Sequence, residues 1–136
     1  MKNWQEEIIQ KVWEKATEVT GVDGKLWRKD IAGAWISRRL YGKKFSEYGW
    51  EIDHIKPINE RGTQFGDADT VNLQPLQWEN NSSKANNYPC FSTSKTADIN
   101  TNIEKVQYWD YRLYSARLSN RKVSITETSK SSFQKA

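Results

Sequence analysis

Residues 48–87 read YGWEIDHIKPINERGTQFGDADTVNLQPLQWENNSSKANN. This stretch contains Asp53-His54, and His54 is the only histidine in the 136-residue chain. Imidazole is the side chain best suited to act as a base near neutral pH. Here one imidazole is present, and a carboxylate directly precedes it. The pair is therefore the first candidate for catalytic chemistry.

Period-2 alternation predicts a short strand around this pair, with two sets of side chains on opposite faces. Trp50, Ile52 and His54 fall on one face, and Glu51, Asp53 and Ile55 fall on the other. Pro57 cannot donate to a sheet ladder, so the strand should end near it. Asp53 and His54 then lie at a strand end, where side chains can diverge into a cleft.

The rest of the stretch predicts a loop, a strand and a helix. Residues 59–69 are polar and include two glycines, which is typical of a loop. A second short strand is predicted over Leu73 to Leu76. A helix is predicted from about Trp78 to Ala85, ahead of Tyr88-Pro89, with the charge of Glu79 at its start.

This order of elements and residues resembles the HNH endonuclease family, whose nuclease unit is the ββα-metal fold. The matching residues are Asp53-His54-Ile55-x-Pro57, then Asn72-Leu73-Gln74-Pro75-Leu76, then Asn81-x-x-Lys84. The resemblance covers residues 48–87, under a third of the chain. Three separated elements match in order, which is more specific than an isolated Asp-His pair.

The resemblance implies a role for each matching residue. His54 matches the general base that activates water for attack on a phosphodiester, and Asp53 matches a metal ligand. Asn72 matches the middle asparagine, which braces the loop and helps to orient the histidine. Asn81 matches the second protein ligand to the metal, and Lys84 matches a lysine common after that ligand.

The chemistry is reasonable without the family name. Charge builds on the phosphate oxygens during hydrolysis, and a divalent cation can neutralise it and assist the leaving oxygen. One carboxylate and one amide oxygen suit Mg²⁺ first, with Mn²⁺ or another divalent ion possible. Asn81 and Lys84 are three residues apart, so they share a helix face and can address one phosphate.

Each residue also has an ordinary structural explanation. An Asp-His pair at a strand end is often a hydrogen-bonded surface pair. Asn72 and Asn81 suit turns and caps, and Lys84 suits a solvated helix face. The nuclease interpretation depends on their occurring together and in this order.

Length and composition favour a single domain over residues 1–123 of α+β class, with a disordered tail over residues 124–136. The expected architecture is a ββα-metal finger with an N-terminal amphipathic helix and further C-terminal elements. No membrane-span-length apolar run or signal peptide is visible, so we expect a cytoplasmic protein without a membrane partner. Cys90 is the only cysteine, which excludes an internal disulfide.

The N-terminal segment predicts an amphipathic helix. Asn3 with Glu6 is typical of a capping box. Apolar residues recur at helical spacing from residue 4 to about residue 17. Gly21-Val22-Asp23-Gly24 then supplies turn chemistry. We expect the apolar stripe of this helix to face the core.

The net charge is +4, which weakly favours a polyanionic partner. Residues 25–47 carry the densest basic content, interleaved with aromatic residues, and Ala34 to Leu40 can form a strand. Basic side chains in this pattern suit phosphate contacts, although any one of them can be simply solvated. The candidate DNA contacts are Arg28, Lys29, Arg38, Arg39, Lys43, Lys44 and Lys84.

Family members often carry cysteine pairs that bind a structural zinc. Gln77 and Asn80 stand where one such pair would fall, so no structural zinc is expected. The aromatic core and the flanking helix must then stabilise the finger.

The C-terminal third is less informative. Residues 92–102 are polar and predict a loop. Residues 106–114, VQYWDYRLY, favour a strand by composition, but the following residues continue at helical spacing, and both remain open. Arg112, Arg117, Arg121 and Lys122 are further candidates for contacts with a nucleic-acid backbone.

The function expected from the sequence is a metal-dependent DNA endonuclease of low sequence specificity. The substrate expected is duplex DNA; protein partners are unknown. Two alternatives remain at this point. One is a nucleic-acid-binding module that retains the finger without hydrolysis, and the other is a nuclease that cuts RNA.

Overall fold

The computed structural model describes residues 4–57 and 70–113. Within these residues the chain is a mixed α+β protein with three two-stranded antiparallel sheets. The elements are α1 (Glu6–Trp13), β1 (Trp27–Lys29), β2 (Trp35–Ser37), β3 (Trp50–His54), β4 (Leu73–Gln77), α2 (Trp78–Lys84), β5 (Cys90–Asp98) and β6 (Thr101–Asp110). The predicted α+β class is confirmed. No described helix has the length and apolar character needed to cross a membrane.

Helix α1 is shorter than the sequence predicts. It begins at Glu6 with Gln5 as the capping residue, so Glu6 does not occupy the third position of a capping box. Asn3 lies outside the described residues. The helix ends at Trp13 because the chain then turns and Thr17 exchanges backbone hydrogen bonds with Lys29, at 2.8 and 3.0 Å. The apolar stripe does face the core, as Ile9, Val12 and Trp13 are buried.

Strands β1 and β2 pair with Trp27 opposite Ser37. The predicted strand over residues 34–40 is therefore only partly correct. Strand β2 ends at Ser37 because the next three residues, Arg38–Leu40, form a 3-10 turn. This turn directs the chain toward Tyr41 and β3.

Strands β3 and β4 pair with His54 opposite Leu73 and Asp53 opposite Gln74. Helix α2 follows β4 directly. The predictions of a strand through Asp53-His54, a second strand from Leu73 and a helix from Trp78 are confirmed. The Gln77 side chain caps α2, because its Oε1 accepts hydrogen bonds from the backbone N–H groups of Glu79 and Asn80 at 2.9 and 3.0 Å.

The prediction of a loop over residues 92–102 is wrong. These residues form most of a long hairpin between β5 and β6. Their polar composition is typical of a loop, but they form a strand because the face of β5 that packs on the core is itself only partly apolar. Phe91 and Trp109 lie opposite each other and pack in the core. Thr93, two residues after Phe91 on β5, is also buried and accepts a hydrogen bond from Trp109 Nε1 at 2.8 Å. Residues 106–110 belong to β6, which resolves the open choice for that part in favour of a strand.

The β3–β4 hairpin separates two clusters of buried apolar side chains. The first cluster contains Ile9, Val12, Trp13, Ala16, Ile36, Trp50 and Leu73. The second contains Ile31, Ala32, Leu76, Phe91 and Trp109. Because both faces of the hairpin are covered, the positions of Asp53 and His54 at its end are fixed by packing on two sides.

A buried polar network connects the β1–β2 turn to α2. Asp30 Oδ2 accepts from the Gln77 backbone N–H at 2.9 Å and from Asn80 Nδ2 at 3.0 Å. Asp30 Oδ1 accepts from the backbone N–H groups of Ala32 and Ala34 at 3.0 and 2.9 Å. Burial raises the pKa of the Asp30 carboxyl to about 6, against these four hydrogen bonds, which lower it.

Asn80 extends the same network to β5. Its Oδ1 accepts from the backbone N–H groups of Ser94 and Lys95 at 2.8 and 2.7 Å, and its Nδ2 also donates to the Lys95 carbonyl at 3.0 Å. The sequence predicts that the aromatic core and the flanking helix stabilise this region. The structure adds a buried, hydrogen-bonded carboxylate, Asp30, which the sequence did not indicate.

The predicted loop over residues 59–69 and the predicted tail over residues 124–136 lie outside the described residues. So do Arg117, Arg121 and Lys122.

Candidate active site

The two faces of β3 carry different chemistry, as alternation predicts. On one face the Trp50 ring lies 5.4 Å from the Trp13 ring, and the His54 ring lies 5.7 Å from the Trp4 ring. The opposite face carries Asp53, which contacts α2. The end of β3 therefore lies between an aromatic side and a polar side.

His54 is the last residue of β3 and is partly buried. Its imidazole is tilted 44° to the Trp4 ring. Its backbone carbonyl accepts a hydrogen bond from Lys84 Nζ at 3.2 Å. The histidine is thus held both by an aromatic neighbour and through its main chain, while its ring reaches solvent-accessible space.

Asp53 is only 6 % exposed. Its Oδ2 accepts from Gln74 Nε2 at 3.0 Å and lies 3.3 Å from Lys84 Nζ. Burial raises the pKa of the Asp53 carboxyl, while Lys84, Gln74 and the nearby His54 lower it. Oδ1 takes no part in these contacts. The protein therefore fixes Oδ2 of Asp53, whereas neither of these two contacts involves Oδ1.

Asn72 holds the chain that leaves β3. Its Oδ1 accepts from the Lys56 backbone N–H at 2.9 Å, its Nδ2 donates to the Lys56 carbonyl at 2.7 Å, and its own carbonyl accepts from Ile55 N–H at 2.9 Å. These contacts brace the segment just after His54. The part of Asn72 in orienting the imidazole stays a prediction.

Asn81 is oriented by a residue that the sequence analysis left without a role. Its Nδ2 donates to Glu51 Oε1 at 2.8 Å. The other oxygen of Glu51, Oε2, lies 3.6 Å from Lys44 Nζ. With the amide nitrogen engaged, Asn81 Oδ1 is the atom that remains for a ligand. Alternation had placed Glu51 on the same strand face as Asp53, but it gave no sign of this contact.

Three of the four side chains predicted to be catalytic or metal-binding meet at one cleft. This polar cleft has a volume of about 300 Å³ and is lined by Ile52, Asp53, His54, Pro57, Asn81, Ala85 and Asn86. The structure thus brings Asp53, His54 and Asn81 together from two elements. Asn72 does not line this cleft. It braces the chain just after His54 through its hydrogen bonds to the Lys56 backbone.

A second cleft adjoins the first. This aromatic cleft has a volume of about 250 Å³ and is lined by Trp4, Tyr41, Gly42, Glu51, Ile52, His54 and Asn81. The two clefts share Ile52, His54 and Asn81. The sequence did not indicate this aromatic cleft because its walls come from separated parts of the chain, namely the residues just before α1 and the segment between β2 and β3.

The prediction that Lys84 contacts nucleic acid is wrong. Its side chain is fully buried, with its ammonium 3.3 Å from Asp53 Oδ2 and 5.5 Å from the centre of the Phe91 ring. A buried ammonium cannot reach a phosphate in solvent. Helical spacing correctly placed Lys84 near Asn81, but it could not show that Lys84 points beneath the site, into the interior.

Two of the predicted DNA-contacting arginines hold the fold together. Arg28 is 13 % exposed in its side chain, and its Nε donates to the Gly24 carbonyl at 2.8 Å. Arg38 is 19 % exposed in its side chain and binds Glu6 and Gln10 of α1. Both guanidinium groups therefore tie segments together.

The remaining predicted contacts differ in their exposure. Lys29 lies with its ammonium 4.9 Å from the centre of the Trp35 ring. Arg39, Lys43 and Lys44 are exposed. These three lie between β2 and β3, on the segment that also supplies Tyr41 to the aromatic cleft. They are the basic residues that remain suited to contact a polyanion.

The donor set at the polar cleft fits a hard divalent cation. Asp53 offers a carboxylate oxygen and Asn81 offers an amide oxygen, and Mg²⁺ commonly takes one or two such protein ligands while it keeps several waters. In residues 4–57 and 70–113, no group of three or more His, Cys, Asp and Glu side chains forms a metal cluster. A cation at this cleft would therefore depend on these two oxygens and on water.

Comparisons with protein-family models, with curated proteins and with solved structures find no match for this chain.

Proposed function

We propose that this chain is a divalent-metal-dependent endonuclease of the HNH type that hydrolyses phosphodiester bonds in DNA. The observation that carries the proposal is the meeting of Asp53, His54 and Asn81 at one polar cleft. These residues come from a strand–strand–helix unit with the sequence order of that family. An imidazole, a carboxylate and an amide oxygen suit metal-assisted hydrolysis of a phosphodiester, with the imidazole as base and the two oxygens as metal ligands.

In the proposed reaction, His54 accepts a proton from a water molecule as that water attacks phosphorus. The bond between phosphorus and the leaving oxygen breaks, the leaving oxygen takes a proton from solvent water, and the products are a phosphate monoester and an alcohol. His54 is suited to this role because it is partly exposed and lines the polar cleft. The Trp4 ring packs against the imidazole at 5.7 Å between centroids, which limits rotation of the His54 ring.

A divalent cation, when bound, would neutralise charge on the phosphate and assist departure of the leaving oxygen. Asp53 and Asn81 would hold it. Lys84 contributes indirectly, since it fixes one oxygen of Asp53 and the carbonyl of His54 from beneath the site. Glu51 contributes in the same way by fixing the amide of Asn81.

The direct test is cleavage of supercoiled plasmid by the purified chain. We expect nicked circles in Mg²⁺ or Mn²⁺ and none in excess EDTA. A labelled RNA of matching sequence, assayed in parallel, separates a DNase from an RNase. If the protein binds plasmid but cleaves neither polymer with either metal, the chain is a binding module without hydrolysis and the proposal is wrong.

A further inference from the structure

The proposed hydrolysis places no part of the substrate in the aromatic cleft. Trp4 and Tyr41 line it, and both rings are held by neighbours. The Tyr41 ring lies 5.0 Å from the buried Trp50 ring at an interplanar angle of 63°, and Trp4 packs partly buried against the same apolar cluster. Fixed aromatic rings at the wall of an open cleft form a stacking surface for a flat ligand.

The charges at this cleft select against one class of ligand. Glu51 lines it and carries a carboxylate whose side chain is only 13 % exposed. A phosphate inside the cleft would be repelled by that carboxylate. Lys44 lies 3.6 Å from Glu51 Oε2, but its side chain is 55 % exposed, so its ammonium can still contact a phosphate outside the cleft. Uncharged flat rings with N–H donors are not repelled, and a carboxylate or an amide oxygen can accept hydrogen bonds from them.

The size of the cleft agrees with a ligand of this kind. At about 250 Å³ it is smaller than the roughly 300–1,000 Å³ pockets that hold drug-sized molecules. One planar ring system fits this space better than a longer ligand does.

The position of the cleft connects it to the reaction. It shares Ile52, His54 and Asn81 with the polar cleft, so the two spaces flank the proposed base and one proposed metal ligand. A strand with its phosphate in the polar cleft would place an adjoining nucleoside at Trp4 and Tyr41. In a closed duplex, that base is already paired and stacked, and its flat faces are not accessible.

We propose that the aromatic cleft binds one unpaired nucleobase next to the scissile phosphate. This inference rests on the proposed function and narrows it. The preferred substrate is then a single strand, or a duplex opened locally at the cleavage point. Trp4 and Tyr41 bind the base by stacking, while the Glu51 carboxylate supplies a hydrogen-bond acceptor at its edge.

The test measures binding without cleavage, so the unmodified full chain can be used in EDTA. Fluorescence anisotropy would compare a short labelled oligothymidylate with an abasic strand of equal length and charge. We expect the base-bearing strand to bind about tenfold more tightly or better, as one stacked base contributes. Equal affinity for the two strands would overturn the inference, whatever the variants do.

Variants locate the effect. Trp4→Ala and Tyr41→Ala should lower affinity for the base-bearing strand to that for the abasic strand, and Trp4→Phe should retain most of the difference. Tyr108→Ala is the matched control, because Tyr108 is 63 % exposed on β6 and lies outside the cleft lining. Circular dichroism checks that each variant is folded. Loss of the same size in Tyr108→Ala would show nonspecific stacking and would contradict the assignment.

The outcome is independent of hydrolysis. Metal-dependent nicking of plasmid together with equal binding of the two strands would reject this inference and leave the proposed function standing. Preferential binding of the base-bearing strand by a protein that never cleaves would reject the nuclease and retain the cleft as a base-binding site.

Discussion

Asp53 shows how one residue at this site serves both the fold and the proposed chemistry. Its Oδ2 is fixed by Gln74 and Lys84, and its Oδ1 is free of those contacts. Removal of one partner of a buried ion pair costs about 3–5 kcal/mol, because the other charge stays buried without a partner. The ion pair with Lys84 therefore holds the Asp53 carboxylate rigidly for its proposed role as a metal ligand, but truncation of Asp53 would leave a buried ammonium unpaired.

The first prediction concerns the metal. Asn81→Ala and Asp53→Asn should each weaken binding of Mn²⁺, because each removes or neutralises one proposed oxygen ligand. Isothermal titration calorimetry should show an affinity lower by about 10-fold or more, and excess Mn²⁺ should restore part of the cleavage activity. Ser82→Ala is the matched control, since Ser82 is an exposed neighbour of Asn81 on α2. Unchanged Mn²⁺ affinity in both variants would remove these residues as ligands.

Among individual residues, the sequence indicated Asp53, His54, Asn72 and Asn81. It gave no role to Glu51, and it placed Trp4 only on the core-facing stripe of the N-terminal helix. The first group lies in one stretch where order and spacing are informative. Glu51 meets Asn81 only after β3 and α2 pack together, and Trp4 meets His54 only after α1 packs on the hairpin. Contacts of this kind depend on tertiary structure, which spacing along a chain does not contain.

At the scale of elements, the β3–β4–α2 unit is positioned by the elements around it. Asp30 lies in the turn before β2, yet it accepts hydrogen bonds from Gln77 and Asn80 of the unit. The strands and helix of this unit were predictable because alternation, proline and capping chemistry are local signals. The Asp30 network was not predictable, because its members are separated by about fifty residues. The β5–β6 hairpin was missed because serine and threonine on a partly buried strand resemble a loop by composition.

The second prediction follows from the pKa of Asp30, which burial raises from 3.8 to about 6. The folded state holds this proton more tightly than the unfolded chain does. The resulting destabilisation is absent below pH 3.8, grows as pH rises toward 6, and is complete above it. We expect it to reach on the order of 3 kcal/mol.

Urea unfolding of the parent chain and of Asp30→Asn, at pH 4 and pH 6.5, isolates this contribution. Asparagine cannot titrate. The free energy of unfolding of the parent minus that of the variant should therefore be lower at pH 6.5 than at pH 4. The variant is expected to be less stable at both, because its amide cannot accept all four hydrogen bonds. A difference that does not change with pH would show that the Asp30 pKa is not raised.

At the scale of the whole molecule, the net charge of +4 is less informative than its placement. Arg28, Arg38 and Lys84 are engaged in contacts within the fold, whereas Arg39, Lys43 and Lys44 are exposed on the segment that supplies Tyr41 to the aromatic cleft. Basic composition alone could not separate these two groups. Burial and hydrogen bonding separate them directly.

The third prediction is that phosphate contacts by Arg39, Lys43 and Lys44 dominate DNA affinity. Log affinity should fall linearly with log salt, by roughly 0.9 per phosphate neutralised on duplex DNA and roughly 0.7 on a single strand. Replacing all three residues by alanine should make this slope shallower by about one contact per residue removed. The measurement is anisotropy in EDTA over a salt series.

Lys11, Lys25 and Lys105 provide a charge-matched control, because all three are exposed and lie on other segments. Their combined replacement should change the slope much less. An equal reduction in slope for both triple variants would mean that only total charge matters and that no basic surface is specific to the site.

The most direct test of the central claim is the cleavage rate of His54→Ala on supercoiled plasmid in saturating Mg²⁺ or Mn²⁺. The proposed mechanism predicts a rate lower than that of the parent by about 10²–10⁴-fold, the usual contribution of a general base. Binding of the same plasmid in EDTA and the circular dichroism spectrum should be retained, and Ser82→Ala, prepared identically, should cleave like the parent. A His54→Ala protein that cleaves within about tenfold of the parent would contradict the assignment of His54 as the base.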